Sequence, residues 1–220
     1  MFLGLAVASL FVVLVVLASI VKLVPQWRSS QQLIALPFQL LLYLLLYFAL
    51  WLIFRLKYRR PLADALGWNP SRIPAWQAVV GGGVLSLVVG LLGSLLRTPS
   101  IESPFDRFLH SPGWIILFAV FAIALGPLFE ELIFRGFLQP LLTRDLGRVL
   151  GILITAAAFG ALHGPEYSGT WQYIALVSLA GVCFGWARNY GRSLIPAVYM
   201  HASFNAVFFF ASIAQNQTSR

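Results

Sequence analysis

The sequence predicts an all-α fold: a polytopic transmembrane bundle of about seven helices with a cytoplasmic N-terminus. Three observations predict it. Of 220 residues, 60% are hydrophobic and 10% charged, against roughly 25% charged in a soluble domain. Mean hydropathy is +0.85, and apolar runs recur from end to end with short polar breaks. The basic residues gather in alternate connections, as the positive-inside rule requires. A formal net charge of +8 could suggest nucleic acid, but the 15 Lys and Arg lie between apolar spans rather than in one patch. Topology and anionic lipid headgroups account for them better. No separate soluble domain is left over. We therefore expect a single integral membrane unit, with a variable N-terminal region at 1–112 (three helices) and a core at 113–213 (four helices).

Phe2 to Val21 is long enough to span, lacks a basic leader and a small-residue cleavage site, and is expected to be a retained first helix. Leu33 to Phe54 is the second span, despite Pro37. Arg55, Lys57, Arg59, Arg60 and Arg72 then cluster in one connection, which the positive-inside rule holds in the cytoplasm. The same orientation assigns the connections at Arg144 and Arg148, and at Arg188 and Arg192, to that side. Pro61 to Trp68 reads as a short interfacial segment. Trp76 to Leu96 is the third span, with Gly82, Ser86, Gly90 and Ser94 at four-residue spacing as a packing stripe. His110 falls in a loop and is expected to be solvated. Trp114 to about Leu142 is too long for one perpendicular span, so it is either tilted past the bilayer or interrupted near Gly126-Pro127. The fifth span runs from Gly147 to His163, the sixth from Tyr173 to Ala187 and the seventh from Leu194 to Ile213. Cys183 has no partner cysteine for an internal disulfide and reads as a packing residue.

Chemistry concentrates in the second half. Glu130, Glu131 and Arg135 lie in an apolar segment, where one charge at mid-membrane costs roughly 2.5–3.5 kcal/mol. They therefore point to a site facing protein or water, unless the helix ends before them and leaves a solvated end. His163, His201 and Asn205 lie in or at the ends of later spans, with few other polar groups to satisfy them. Glu131 and Arg135 are one turn apart in the favourable acid-first order and can neutralise each other. Glu130, about 100° away around the helix, is left to face elsewhere. A carboxylate beside an imidazole can hold a water and take its proton. A histidine and an asparagine one turn apart supply two donors for one oxyanion. Hydrolysis of an amide needs both. Glutamates and histidines could equally ligate zinc, although no H-E-x-x-H spacing occurs.

Glu130-Glu131-x-x-x-Arg135, Phe159-x-x-x-His163 and His201-x-x-x-Asn205, in this order on successive apolar segments, resemble the three-motif signature of the CPBP family. These are the CAAX prenyl proteases and bacteriocin-processing (Abi) intramembrane proteases. Leu138 fits the hydrophobic position after the first motif, and the first three spans share only hydrophobicity with the family. The resemblance implies that Glu130 is the general base, His163 its partner, His201 and Asn205 the oxyanion donors, and Glu131 and Arg135 the frame. It implies a glutamate-type intramembrane endopeptidase, although the family was long described as metalloendopeptidases, and zinc stays open as a cofactor. The substrate would be a peptide or membrane protein, lipidated in CAAX-type processing, and no nucleic acid would bind. A bacterial inner membrane or an organellar membrane is the expected location. Two alternatives stand beside the protease. One is a non-proteolytic scaffold or bacteriocin-immunity protein. The other is a small transporter, for which no inverted repeat is seen. The expected topology also sets His163 far along the fifth span, deeper than His201, unless that helix is tilted or starts late.

Overall fold

The computed structural model describes residues 31–100 and 112–218. The expected first span, His110 and the extreme C-terminus lie outside the described residues. Among those described, every regular element is helical: α1 (Gln31–Leu52), α2 (Leu62–Leu66), α3 (Ala75–Leu95), α4 (Pro112–Leu146), α5 (Arg148–Leu162), α6 (Trp171–Gly191) and α7 (Ile195–Thr218). Among the described residues, four apolar helices are long enough to cross a membrane, spanning Leu36–Tyr58, Ala75–Leu95, Pro112–Leu146 and Ile195–Gln215. The protein is an all-helical membrane protein.

The chain divides into two compact units, Met1–Lys57 and Tyr58–Arg220. The first contains α1, which runs through Pro37 and continues into a π turn at Ile53–Tyr58. The second holds everything else described below.

In the second unit α7 packs along α3, α5 along α6, and the C-terminal end of α4 along α5. Small residues set these distances. A Cβ on Gly82 of α3 would overlap the Met200 carbonyl and the Ser203 hydroxyl of α7, and one on Gly160 of α5 would overlap Ser178 of α6. Backbones in membranes approach this closely only across such residues. The stripe expected on α3 is used in two ways: Gly82 and Ser86 are buried in packing, whereas Gly90 and Ser94 line a cavity.

The connections assigned to one side of the membrane meet at one end of this unit. Arg72 N–H bonds the Gly191 carbonyl at 3.1 Å, and Leu194 N–H bonds the Gly67 carbonyl at 2.8 Å. Arg144 and Arg188 line one cavity of about 300 Å³. The expected interfacial segment is the single-turn helix α2, closed by Gly67 at φ 77°.

Two helices differ from the simplest expectation. The 35-residue α4 is continuous through Gly126-Pro127, with π turns at Phe121–Leu125 and Leu132–Leu138 on either side of a short α segment, Gly126–Glu131. Helix α5 has 15 residues, about 22 Å at 1.5 Å per residue. That is short of a hydrocarbon core of roughly 30 Å. A helix this short keeps His163, which caps it, from lying a full membrane width from the start of the span.

Candidate active site

The first π turn has a local cause. In an α-helix the Pro127 ring would collide with the carbonyl four residues back and leave it without a donor. A wider turn relieves the collision, and Gly126 N–H bonds the carbonyl of Phe121, five residues back. Inserted turns of this kind bend the hydrogen-bond ladder and recur at functional sites. Glu130 and Glu131 occupy the last turn of the α segment between the two π turns.

Glu131 is the hub. Its side chain is fully buried, as is that of Arg135, and Arg135 Nη1 donates to Glu131 Oε1 at 2.8 Å. The same oxygen accepts from His201 Nδ1 at 2.9 Å. The pairing with Arg135 follows from helical spacing; the bond to α7 is a second role for Glu131. Arg135 also donates from Nη2 to the Gly181 carbonyl at 2.9 Å, and one turn later Gln139 Nε2 donates to the Gly185 carbonyl at 2.9 Å. Helix α6 permits this because both positions are glycine. A Cβ at 181 would stand 3.0 Å from Arg135 Nη2, and one at 185 would stand 2.7 Å from Gln139 Oε1. The guanidinium lies over the rings of Phe159 and Phe184, at 4.5 Å and 5.4 Å from their centroids.

These contacts fix His201. A carboxylate only accepts, so Nδ1 carries a proton and Nε2 faces away from Glu131. Phe184 stacks on the imidazole at 4.6 Å and 16°, and Phe159 meets it edge-on at 5.7 Å. Nε2 lies 3.8 Å from Glu130 Oε2. That is beyond a direct hydrogen bond but close enough for one oxygen to touch both atoms. Glu130 keeps 19% of its side-chain surface, so it forms the more exposed edge of the cluster.

His163 reaches the same neighbourhood through Phe159. Its Nδ1 donates to the Phe159 carbonyl at 2.8 Å, which leaves Nε2 as the acceptor of the neutral ring. Its ring packs on Phe159 at 4.5 Å, so one phenylalanine contacts both histidines. Asn205, one turn after His201, donates from Nδ2 to the Ala122 carbonyl at 2.8 Å. The structure thus brings Glu130, Glu131, Arg135 and His201 into one contact set, with His163 joined by Phe159 and Asn205 joined by the first π turn.

Sequence reasoning missed several members. Phe184 and the Gly181/Gly185 pair carried a readable signal, since Gly181-x-x-x-Gly185 is a small-residue helix-packing motif. Glu166, in the 3₁₀ turn after His163, lies near enough to interact electrostatically with both His163 and Glu130. Tyr167 follows it and stacks on Tyr173 at 4.7 Å. Burial, with the Glu166 charge beside it, pushes the Tyr167 hydroxyl above its ordinary range and keeps it a neutral donor.

Beside Asn205 a cavity of about 400 Å³ opens between α3, α6 and α7, with Gly90, Tyr167, Leu176, Phe204 and Phe208 among its lining. Its volume falls within the roughly 300–1,000 Å³ of small-ligand sites. Among the described residues, no three His, Cys, Asp or Glu side chains converge as a metal-ligand set. Glu131 and His201 Nδ1 are already committed to each other. The reaction proposed below draws only on side chains and water.

A family model for the type II CAAX prenyl endopeptidases, Rce1-like, matches residues 112–207. Over these residues the chain is similar to that family. No curated protein and no solved structure gives a significant match. The Rce1-like region begins at the first turn of α4 and ends two residues beyond Asn205. It therefore takes in every polar group of the cluster, and it supports an intramembrane endopeptidase of the CAAX protease type.

Proposed function

We propose that this cluster hydrolyses a peptide bond by glutamate-activated water, without a metal. The observation that carries the reading is the shared Glu131 oxygen, which fixes His201 with Nε2 next to Glu130. Glu130 takes a proton from a water held between its carboxylate and the acceptor nitrogen of His163. The resulting hydroxide attacks the scissile carbonyl. The carbonyl oxygen gains negative charge and accepts from His201 Nε2–H and from the second N–H of Asn205. Collapse of the tetrahedral species breaks the C–N bond, and Glu130 returns its proton to the departing amine.

An imidazolium at His201 supplies the required Nε2–H. It also makes the set of Arg135, Glu131, His201 and Glu130 formally neutral, which a dry site favours. The apolar cavity beside Asn205 is suited to an apolar chain of the substrate, such as the lipid of a prenylated C-terminal peptide or a hydrophobic side chain. Processing of a bacteriocin or another membrane protein would use the same groups. The non-cleaving scaffold or immunity protein is the contrasting reading.

The test is cleavage of hydrophobic and prenylated C-terminal peptides by detergent-purified protein, with Glu130→Gln as comparison and a chelator present or absent. Cleavage that disappears in E130Q and ignores the chelator supports the reading. Cleavage abolished by chelator and restored by zinc overturns the metal-free mechanism and makes Glu130, His163 and His201 ligand candidates. A biological function that survives E130Q favours the scaffold.

A further inference from the structure

The contact between Asn205 and the backbone of α4 has a cause in the sequence of α4. In the first π turn the Gly126 N–H is taken by the Phe121 carbonyl. Gly126 would have been the α-helical partner of the Ala122 carbonyl. The π-helical partner of that carbonyl would be residue 127, which is proline and has no N–H. Ala122 is buried at 8% exposure, and a buried carbonyl without a donor is costly. The donor it receives is Asn205 Nδ2, at 2.8 Å from a helix 83 residues further on.

We infer that Pro127 is a positioning residue for Asn205: by leaving the Ala122 carbonyl open, it captures one N–H of the side-chain amide and so orients the other. A carbonyl accepts but never donates, so it selects the nitrogen end of the amide and excludes the flipped orientation. One amide proton is used on Ala122. The second stays on a nitrogen whose plane and direction are fixed from α4, the helix that carries Glu130. General base and oxyanion donor are thereby referenced to one backbone segment: Ala122 lies in the π turn and Glu130 at the end of the next α segment. An alanine at 127 restores a backbone N–H. Whether that turn then stays π or relaxes to α, Ala122 gains a main-chain donor and Asn205 is released.

This inference rests on the reading of Asn205 as an oxyanion donor, but its contact can be tested without activity. The full chain in detergent is compared as wild type, P127A, N205A and P127A/N205A, first by thermal unfolding. N205A is expected to lower the melting temperature by roughly 2–10 °C in the wild-type background, the effect of orphaning one buried carbonyl in a chain of this size. With Ala at 127 the same change should have almost no effect. Equal losses in both backgrounds overturn the inference.

The second measurement is kinetic, on any peptide that the wild type cleaves. P127A should reduce kcat on the order of 10- to 100-fold through misplacement of the donor, with little change in KM and no further loss when added to N205A. A loss of equal factor in the N205A background means that the proline acts elsewhere, through the register of Glu130, and overturns the positioning role. If P127A fails to fold, hydrogen exchange of the Asn205 side-chain amide in wild type decides: one slowly exchanging proton upholds the contact, and two fast ones overturn it. If the wild type cleaves nothing, the proposed function fails while the unfolding cycle still judges the pairing.

Discussion

Glu130 and Glu131 are adjacent and chemically identical, yet replacing each by glutamine should separate chemistry from folding. The Glu131 and Arg135 side chains are both fully buried and 2.8 Å apart. Glu131→Gln keeps an oxygen to accept hydrogen bonds but removes the charge, leaving a guanidinium uncompensated in a dry site. Breaking one partner of a buried pair costs about 3–5 kcal/mol. At roughly 2–4 °C per kcal/mol for a chain of this size, the melting temperature should fall by about 6–20 °C. His201 loses its charged acceptor at the same time. Glu130 keeps 19% of its side-chain surface and stands 3.8 Å from His201 Nε2, so the isosteric E130Q should melt within about 2 °C of wild type. Its peptidase activity should nevertheless fall on the order of 10²- to 10⁴-fold. The assay is paired: thermal unfolding in detergent and peptide cleavage on the same preparations. Replacing both partners with apolar residues, E131L/R135M, should recover part of the melting temperature lost in E131Q, because two apolar groups leave no orphaned charge. The reasoning is refuted if E131Q melts within 2 °C of wild type, or if E130Q melts as low as E131Q.

Three further outcomes follow from the packing. Gly185→Ala brings a Cβ to 2.7 Å from Gln139 Oε1 and 3.1 Å from Ile152 Cγ2; it should destabilise by about 1–3 kcal/mol, measured as a lower melting temperature. Gly113→Ala, whose Cβ meets nothing within 4 Å, should melt like wild type. Gly90→Leu also meets open space at its Cβ but projects into the cavity beside Asn205, so it should fold normally. It should lower kcat/KM for long apolar substrates by roughly 10- to 150-fold, the equivalent of about 1.5–3 kcal/mol of lost burial. Short peptides should be spared, and equal losses on both substrates would dissociate the cavity from substrate binding.

What could be read from the sequence was whatever lies along one helix. The Glu131 and Arg135 pair obeys the i,i+4 rule and occurs as expected. The basic connections share one end because the same rule of charge distribution places each of them. What could not be read were partners on other helices. Glu131 bonds His201 70 residues away, and Phe184 stacks on that ring from α6. Both depend on how helices cross, which hydropathy does not encode. Pro127 was legible as a disturbance, but its outcome was not. A proline can break a helix, kink it or widen its pitch, and the choice rests on whether neighbours can supply the missing donor. Here α7 supplies it through Asn205.

A hydrolytic site in an apolar helix would need charges that do no hydrolysis. A lone carboxylate at mid-membrane either stays unpaired at high cost or takes up a proton and ceases to be a base. Exposure runs in one direction through this cluster: Glu131 and Arg135 at 0%, His201 at 5% and Glu130 at 19% of their side-chain surface. The dry end is neutralised within itself and anchored to the Gly181 carbonyl. Its second interaction goes to His201 Nδ1, which leaves Nε2 on the side of Glu130, the more exposed end. On the proposed mechanism water is needed only at Glu130, the more exposed member, so the frame can remain closed. On the proposed mechanism this division demands that the two glutamates cannot exchange roles. With a carboxylate at 130 alone, the charge would lie at the more exposed edge, and the arginine at 135 would lose the buried carboxylate 2.8 Å away that compensates it.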